Sequence, residues 1–116
     1  LLWSPLASGL LGGHALDGQG GERSSKAGAA LDQAGRVRLT EYHRLCAELG
    51  ETPANVALAW TLAAPAVTAP IIGPRTPQQV AELARAAEIQ LEPEILNRLD
   101  KLFPGVGGPA PQAYAW

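Results

Sequence analysis

The sequence predicts an α/β chain built from two strand–helix units and one extra helix near its C-terminal end. Three observations point there. Two apolar segments stop at proline turns: Leu1-Leu2-Trp3 before Ser4-Pro5, and Val67 to Ile72 before Gly73-Pro74. Apolar residues recur at helical spacing between and after them. Two of those stretches open with Thr-Pro, at Thr52-Pro53 and Thr76-Pro77, an N-cap residue followed by a proline whose missing N–H costs nothing at the first helical position.

Taken in order, Leu1 to Trp3 reads as the end of a buried strand running into a loop. Residues 12–36 are different: Gly12, Gly13, Gly18, Gly20, Gly21, Gly28 and Gly35 are mixed with Ser24, Ser25 and scattered charges, without a steady period. A long mobile loop is expected, with room for one helical turn near Lys26 to Asp32. Loops this long inside compact domains are often functional. From Val37, the residues Leu39, Tyr42, Leu45, Cys46 and Leu49 mark a helix that Gly50 stops. The next helix starts at Pro53, with Val56, Ala59, Trp60 and Ala63 on one face and Trp60 in the core, and ends before Pro65. In the β-branched run Val67 to Ile72, Pro70 cannot donate to a ladder and belongs near the strand's start. Ile71 and Ile72 are expected as its most buried part. Thr76, Pro77 and Gln79 form a capping-box pattern for a helix reaching about Ala87. Glu92-Pro93 opens the last helix, with Ile95, Leu96, Leu99, Leu102 and Phe103 on its apolar side; Glu is a weak cap. A Gly- and Pro-rich tail ends in Tyr114-Ala115-Trp116, and no internal repeat is found.

Composition narrows the function classes. With 116 residues, 47% hydrophobic and 17% charged, the chain can bury a core, which argues against wholesale disorder. A net charge of −2 with no basic block argues against a nucleic-acid partner. Apolar runs are broken well short of the roughly 18 residues of a membrane span. The single cysteine, Cys46, excludes an intrachain disulfide framework and a cysteine zinc site, and favours a reducing, cytoplasmic compartment. His14 and His43 lack neighbours at ligand spacing, so no metal is expected. No methionine occurs, even at position 1, and two strands do not make a stable parallel sheet alone. A piece of a longer protein is therefore expected, with the catalytic residues outside it.

Two turns carry the chemistry. A strand, then Gly73-Pro74-Arg75-Thr76, then a helix offers unpaired N–H groups, a close backbone approach at Gly73 and a cation at Arg75, all suited to phosphate. An ordinary strand–helix turn with a solvated Arg75 fits the same pattern. Ser4-Pro5-Leu6-Ala7-Ser8-Gly9-Leu10-Leu11-Gly12 is the second candidate, since small residues at a strand's end let a ligand reach the backbone; a tight turn capped by Ser4 is the alternative. Trp3, just before it, could stack on a planar ligand, although core packing is the simpler reading of its position alone. Tyr42 shares the stripe of Leu39 and Leu45 and reads as packing.

Together, Trp3 to Gly12 and Ile71-Ile72-Gly73-Pro74-Arg75-Thr76-Pro77-Gln78-Gln79-Val80-Ala81-Glu82, with Thr52 to Trp60 between them and the helix Glu92 to Leu102 after, resemble the C-terminal part of the aldo-keto reductase family. The resemblance covers essentially all of residues 1–116. It implies a (β/α)8 barrel that binds NADP(H) in extended form, with Leu1 to Trp3 ending the seventh strand and Val67 to Ile72 forming the eighth. Barrel phosphate sites commonly use the loops after these two strands. By position it implies that Trp3 stacks on the nicotinamide, that Ser4, Pro5, Leu6, Ala7 and Ser8 run along the pyrophosphate, and that His14 stands where relatives carry a Lys. Gly73, Arg75, Gln79 and Glu82 match positions around the 2′-phosphate and adenine, with Arg75 favouring NADPH over NADH. Leu83 replaces the usual Asn, removing one adenine hydrogen bond.

The same resemblance implies an NADPH-dependent reduction of aldehydes or ketones by the parent protein. The Asp, Tyr, Lys and His tetrad of the family has no counterpart in this chain, which alone should not catalyse. Arg23 could reach the cofactor, and Tyr114 or Trp116 could border the substrate mouth. The rival readings are a non-enzymatic NADP-binding regulatory subunit and a stand-alone phosphate-binding α/β module.

Overall fold

The computed structural model describes residues 1–105; Tyr114 and Trp116 lie outside the described residues. Two strands, β1 (Leu2–Trp3) and β2 (Pro70–Ile71), pair in parallel, with Leu2 opposite Pro70 and Trp3 opposite Ile71. The Leu2 N–H donates to the Ala69 carbonyl at 3.0 Å. Pro70 opens β2, where the donor it lacks is least missed. Five helices follow the chain: α1 (Glu22–Ala29), α2 (Gln33–Leu49), α3 (Pro53–Ala63), α4 (Pro77–Ala84) and α5 (Pro93–Leu102). Short 3₁₀ segments span Ala7–Gly12 and Arg85–Glu88.

The expected α/β order is thus observed, with differences that have physical causes. Residues 12–36 are not one long loop. They contain the two turns of α1, and α2 begins four residues before Val37. The Asp32 carboxylate accepts from the Gly35 N–H at 2.7 Å and sets that earlier start. Several glycines here serve close approach rather than mobility. A Cβ on Gly28 would stand 1.9 Å from the Ala15 carbonyl oxygen, so α1 lies with its backbone against residue 15. The strand expected over Val67 to Ile72 is shorter, because the Val67 N–H bonds back to the Ala64 carbonyl in a turn leaving α3. Ile71 and Ile72, expected to be most buried, are 48% and 40% exposed. The two-stranded sheet has no third strand among the described residues to cover them.

Helix ends follow sequence chemistry closely. Thr52 and Thr76 accept from the N–H three residues on, each followed by a proline at the first position. Gly50 ends α2 in the left-handed region, φ 68°, with its own N–H on the Ala47 carbonyl and that of Glu51 on the Cys46 carbonyl. Glu92 makes no side-chain cap at α5.

The core lies between α2, α3 and α5 and beneath the segment after β1. It gathers Leu39, Tyr42, Leu45 and Cys46, then Val56 and Ala57, then Leu99, with Leu11 and Ala15. Tyr42 is fully buried and donates its hydroxyl to the Pro53 carbonyl, tying α2 to the start of α3. Its ring meets Phe103 edge-on at 5.7 Å. Burial raises the Tyr42 phenol well above its usual range and pushes the Cys46 thiol up to about 11, so both stay neutral and inert. Trp60 sits at the core's edge, packed against it, with its indole N–H donating to Asp100 at 3.0 Å. Arg85 bridges Glu51 and Glu88 and fastens the end of α4 to the turn between α2 and α3.

Gly28→Ala should gain about 1 kcal/mol of helix propensity and lose more than that, on the order of 3 kcal/mol, from overpacking against Ala15. A lower denaturation midpoint is expected. An unchanged or higher midpoint would mean that α1 is not seated on residue 15.

Candidate functional site

Parallel pairing places the carboxyl ends of β1 and β2 on one edge of the sheet, with neighbouring strands about 4.8 Å apart. The turns that leave these ends, Ser4–Gly12 and Ile72–Thr76, are therefore neighbours although far apart in sequence.

The first turn is unusual in its backbone. Ser4, Ala7 and Ser8 have φ of 59°, 47° and 59°, and Gly9 follows at 89°. Each non-glycine residue in this region costs about 1–2 kcal/mol, and such conformations persist only where the surroundings determine them. Here the turn's own polar groups do part of that. The Ser4 carbonyl accepts from Ala7, the Leu6 carbonyl from both Gly9 and Leu11, and the Ser4 hydroxyl from the Ser8 N–H at 3.3 Å. One contact comes from outside: Ser24 of α1 donates its hydroxyl to the Gly9 carbonyl at 3.1 Å. Trp3, at the end of β1, is 79% exposed, so its indole is not spent on the core.

The second turn opens α4. Thr76 accepts from the Gln79 N–H at 3.1 Å. The Gln79 side chain reaches back to the Arg75 N–H at 2.7 Å, one residue before the partner the capping-box pattern implies. Nothing lies within 4 Å of the place a Cβ would take on Gly73, and that backbone is open to approach. The Arg75 side chain is exposed and makes no ion pair among the described residues. Glu82 accepts from Gln78 at 3.0 Å on the next turn of the helix.

Trp3, Ser4, Pro5, Leu6, Ala7 and Ser8 thus share one edge with Gly73, Arg75 and Gln79. His14 is engaged elsewhere, with its ring nitrogen 3.1 Å from an Asp17 oxygen. The Gln19 N–H and His14 hold the Asp17 carboxyl below its usual range. Arg23 is exposed on α1. Sequence reasoning missed Ser24. Its signal was present as Ser24 and Gly28, small residues four apart on α1, the spacing that puts both on one helix face. No described helix is long and apolar enough to cross a membrane.

Residues 1–103 match the family model described as the aldo/keto reductase family. The chain belongs to that family. It is 55% identical, over 98% of its length, to an uncharacterized oxidoreductase, YrpG, of Bacillus subtilis, and covers 35% of that relative. It is 37% identical, over 88% of its length, to a putative voltage-gated potassium channel subunit beta of Schizosaccharomyces pombe, and covers 33% of it. The chain therefore spans about a third of the length of these relatives.

Proposed function

We propose that this chain is the NADP(H)-holding part of an aldo-keto reductase, with β1 and β2 as the seventh and eighth strands of a (β/α)8 barrel. The full-length polypeptide reduces aldehydes or ketones. The observation that carries this reading is the parallel pairing of β1 with β2, which makes neighbours of two turns each suited to part of one dinucleotide.

The residues fit that cofactor. The open backbone at Gly73, the amino end of α4 and the ion-pair-free Arg75 favour a phosphate monoester at the second turn. Arg75 binds the 2′-phosphate through its planar guanidinium, and Gln79 and Glu82 border the adenosine. Ser4 to Ser8 line the pyrophosphate, and the exposed face of Trp3 stacks on the nicotinamide. His14 reaches this edge only by leaving Asp17. When bound, the cofactor supplies hydride chemistry. This chain contributes binding and orientation, and the proton donor to the carbonyl belongs to the tetrad elsewhere in the polypeptide.

The name of the fission-yeast relative favours a second reading, an NADP-binding regulatory subunit. Oxidation of NADPH by the full-length polypeptide with a panel of aldehydes and ketones separates the two. Turnover supports the reductase, and tight NADPH binding without turnover on any carbonyl supports the subunit.

Arg75→Ala should weaken NADPH binding about 10- to 100-fold, the loss of a charge-assisted contact, and leave NADH binding nearly unchanged. Calorimetry with both cofactors reads this out, and equal losses would remove the 2′-phosphate assignment. Trp3→Ala should raise the NADPH dissociation constant about three- to tenfold through lost stacking and diminish the quenching of tryptophan fluorescence by NADPH. Unchanged affinity would take Trp3 away from the nicotinamide.

A further inference from the structure

Helix α1 is joined to the first turn by a seam of small residues. Ser24 is 8% exposed, and its hydroxyl donates to the Gly9 carbonyl at 3.1 Å. The seam leaves no room: a Cβ on Gly9 would lie 3.2 Å from the Ser24 Cβ, and one on Gly20 would lie 2.7 Å from the Ser24 hydroxyl oxygen. Gly28, one turn on, seats the same helix against the Ala15 carbonyl. Ser24 is thus fixed in place from both sides, and its one hydrogen bond reaches the end of a strained run.

The strained residues are Ser4, Ala7 and Ser8, all non-glycine with positive φ, and Gly9 follows them in the same region without strain. Strain of this kind relaxes unless contacts from outside the segment oppose it. The turn's internal bonds link Ser4, Leu6, Ala7, Ser8 and Gly9 to one another, and the Gly9 carbonyl is held from α1 as well. A carbonyl oxygen turned toward this edge would repel an anion at short range. Turned toward α1 by Ser24, it is removed from that role.

We propose that Ser24 is a positioning residue for the diphosphate of NADP(H), holding the Gly9 carbonyl away and keeping Ser4, Ala7 and Ser8 in their left-handed conformations. This rests on the reading of the two turns as one cofactor site. Ser24 touches no part of the cofactor. It acts only through Gly9, so its effect is confined to the first turn and leaves the second untouched.

Two probes distinguish this from a merely structural serine. NADPH engages both turns, whereas adenosine 2′-monophosphate carries no part of the diphosphate and engages the second alone. In the full-length polypeptide, Ser24→Ala should raise the dissociation constant for NADPH about fivefold, as expected for one lost hydrogen bond, and leave that of adenosine 2′-monophosphate unchanged. Ser24→Cys, which keeps a weak donor of similar size, should recover part of the loss. Equal weakening of both probes would make Ser24 a general packing residue and overturn the proposal, as would unchanged NADPH affinity. If the wild-type polypeptide binds adenosine 2′-monophosphate but the Ser24 variants bind NADPH normally, the positioning role fails while the cofactor site stands. If the wild type binds neither probe, the cofactor site and the positioning role fall together.

Discussion

Two parallel residue pairs, Leu2 with Pro70 and Trp3 with Ile71, bring the two turns of the site side by side. Parallel strands need a long crossover between them, here supplied by α1, α2 and α3 with the loops that join them. The crossover's helices α2 and α3, together with α5, build the core around Tyr42 and Leu39, and β2 lies against α3. Without that register, the Ser4–Gly12 turn and the Gly73–Thr76 turn would be unrelated surface features. With it, they become two halves of one edge, one with small residues and an exposed indole, the other with a helix amino end and a guanidinium.

The two halves are stabilised differently, and the difference follows their work. The second turn is held by local chemistry alone: Thr76 capping, Pro77 at the first position and Gln79 reaching back to Arg75. No residue of α4 is buried, and Val80 on its apolar side is half exposed. The first turn carries three left-handed non-glycine residues and is held from outside, by Ser24 and by the close seating of α1 on Ala15. Strain at one turn and openness at the other accord with the proposed placing of a diphosphate against the first and a 2′-phosphate at the second.

Much of this was legible in the residues. The Thr-Pro starts at 52 and 76, the Gly50 stop and the α2 stripe of Leu39, Tyr42, Leu45 and Cys46 are local signals, and local hydrogen bonds decide helix ends. Pro70 could be placed at its strand's start because a missing donor leaves few alternatives. What could not be read was long-range. Gly28 reads as loop material in the sequence, yet tertiary packing against Ala15 demands the absence of a Cβ there. A helix pressed against backbone uses the same residue as a flexible loop, and only the spacing of Ser24 and Gly28 on one helix face points to the first case. The burial expected of Ile71 and Ile72 assumed neighbours on both faces of the sheet, which are not among the described residues. His14 could not be assigned from position alone either, because its partner Asp17 is set by the geometry of the intervening turn.

The convergence of the two turns is tested most directly by a crystal structure of the full-length polypeptide grown with NADP(H). One cofactor should span the edge, its diphosphate against Ser4 to Ser8 and its 2′-phosphate at Arg75, with Leu2 and Trp3 still paired to Pro70 and Ile71. A cofactor bound elsewhere, or strands 1 and 2 separated so that the turns lie apart, would refute the shared site.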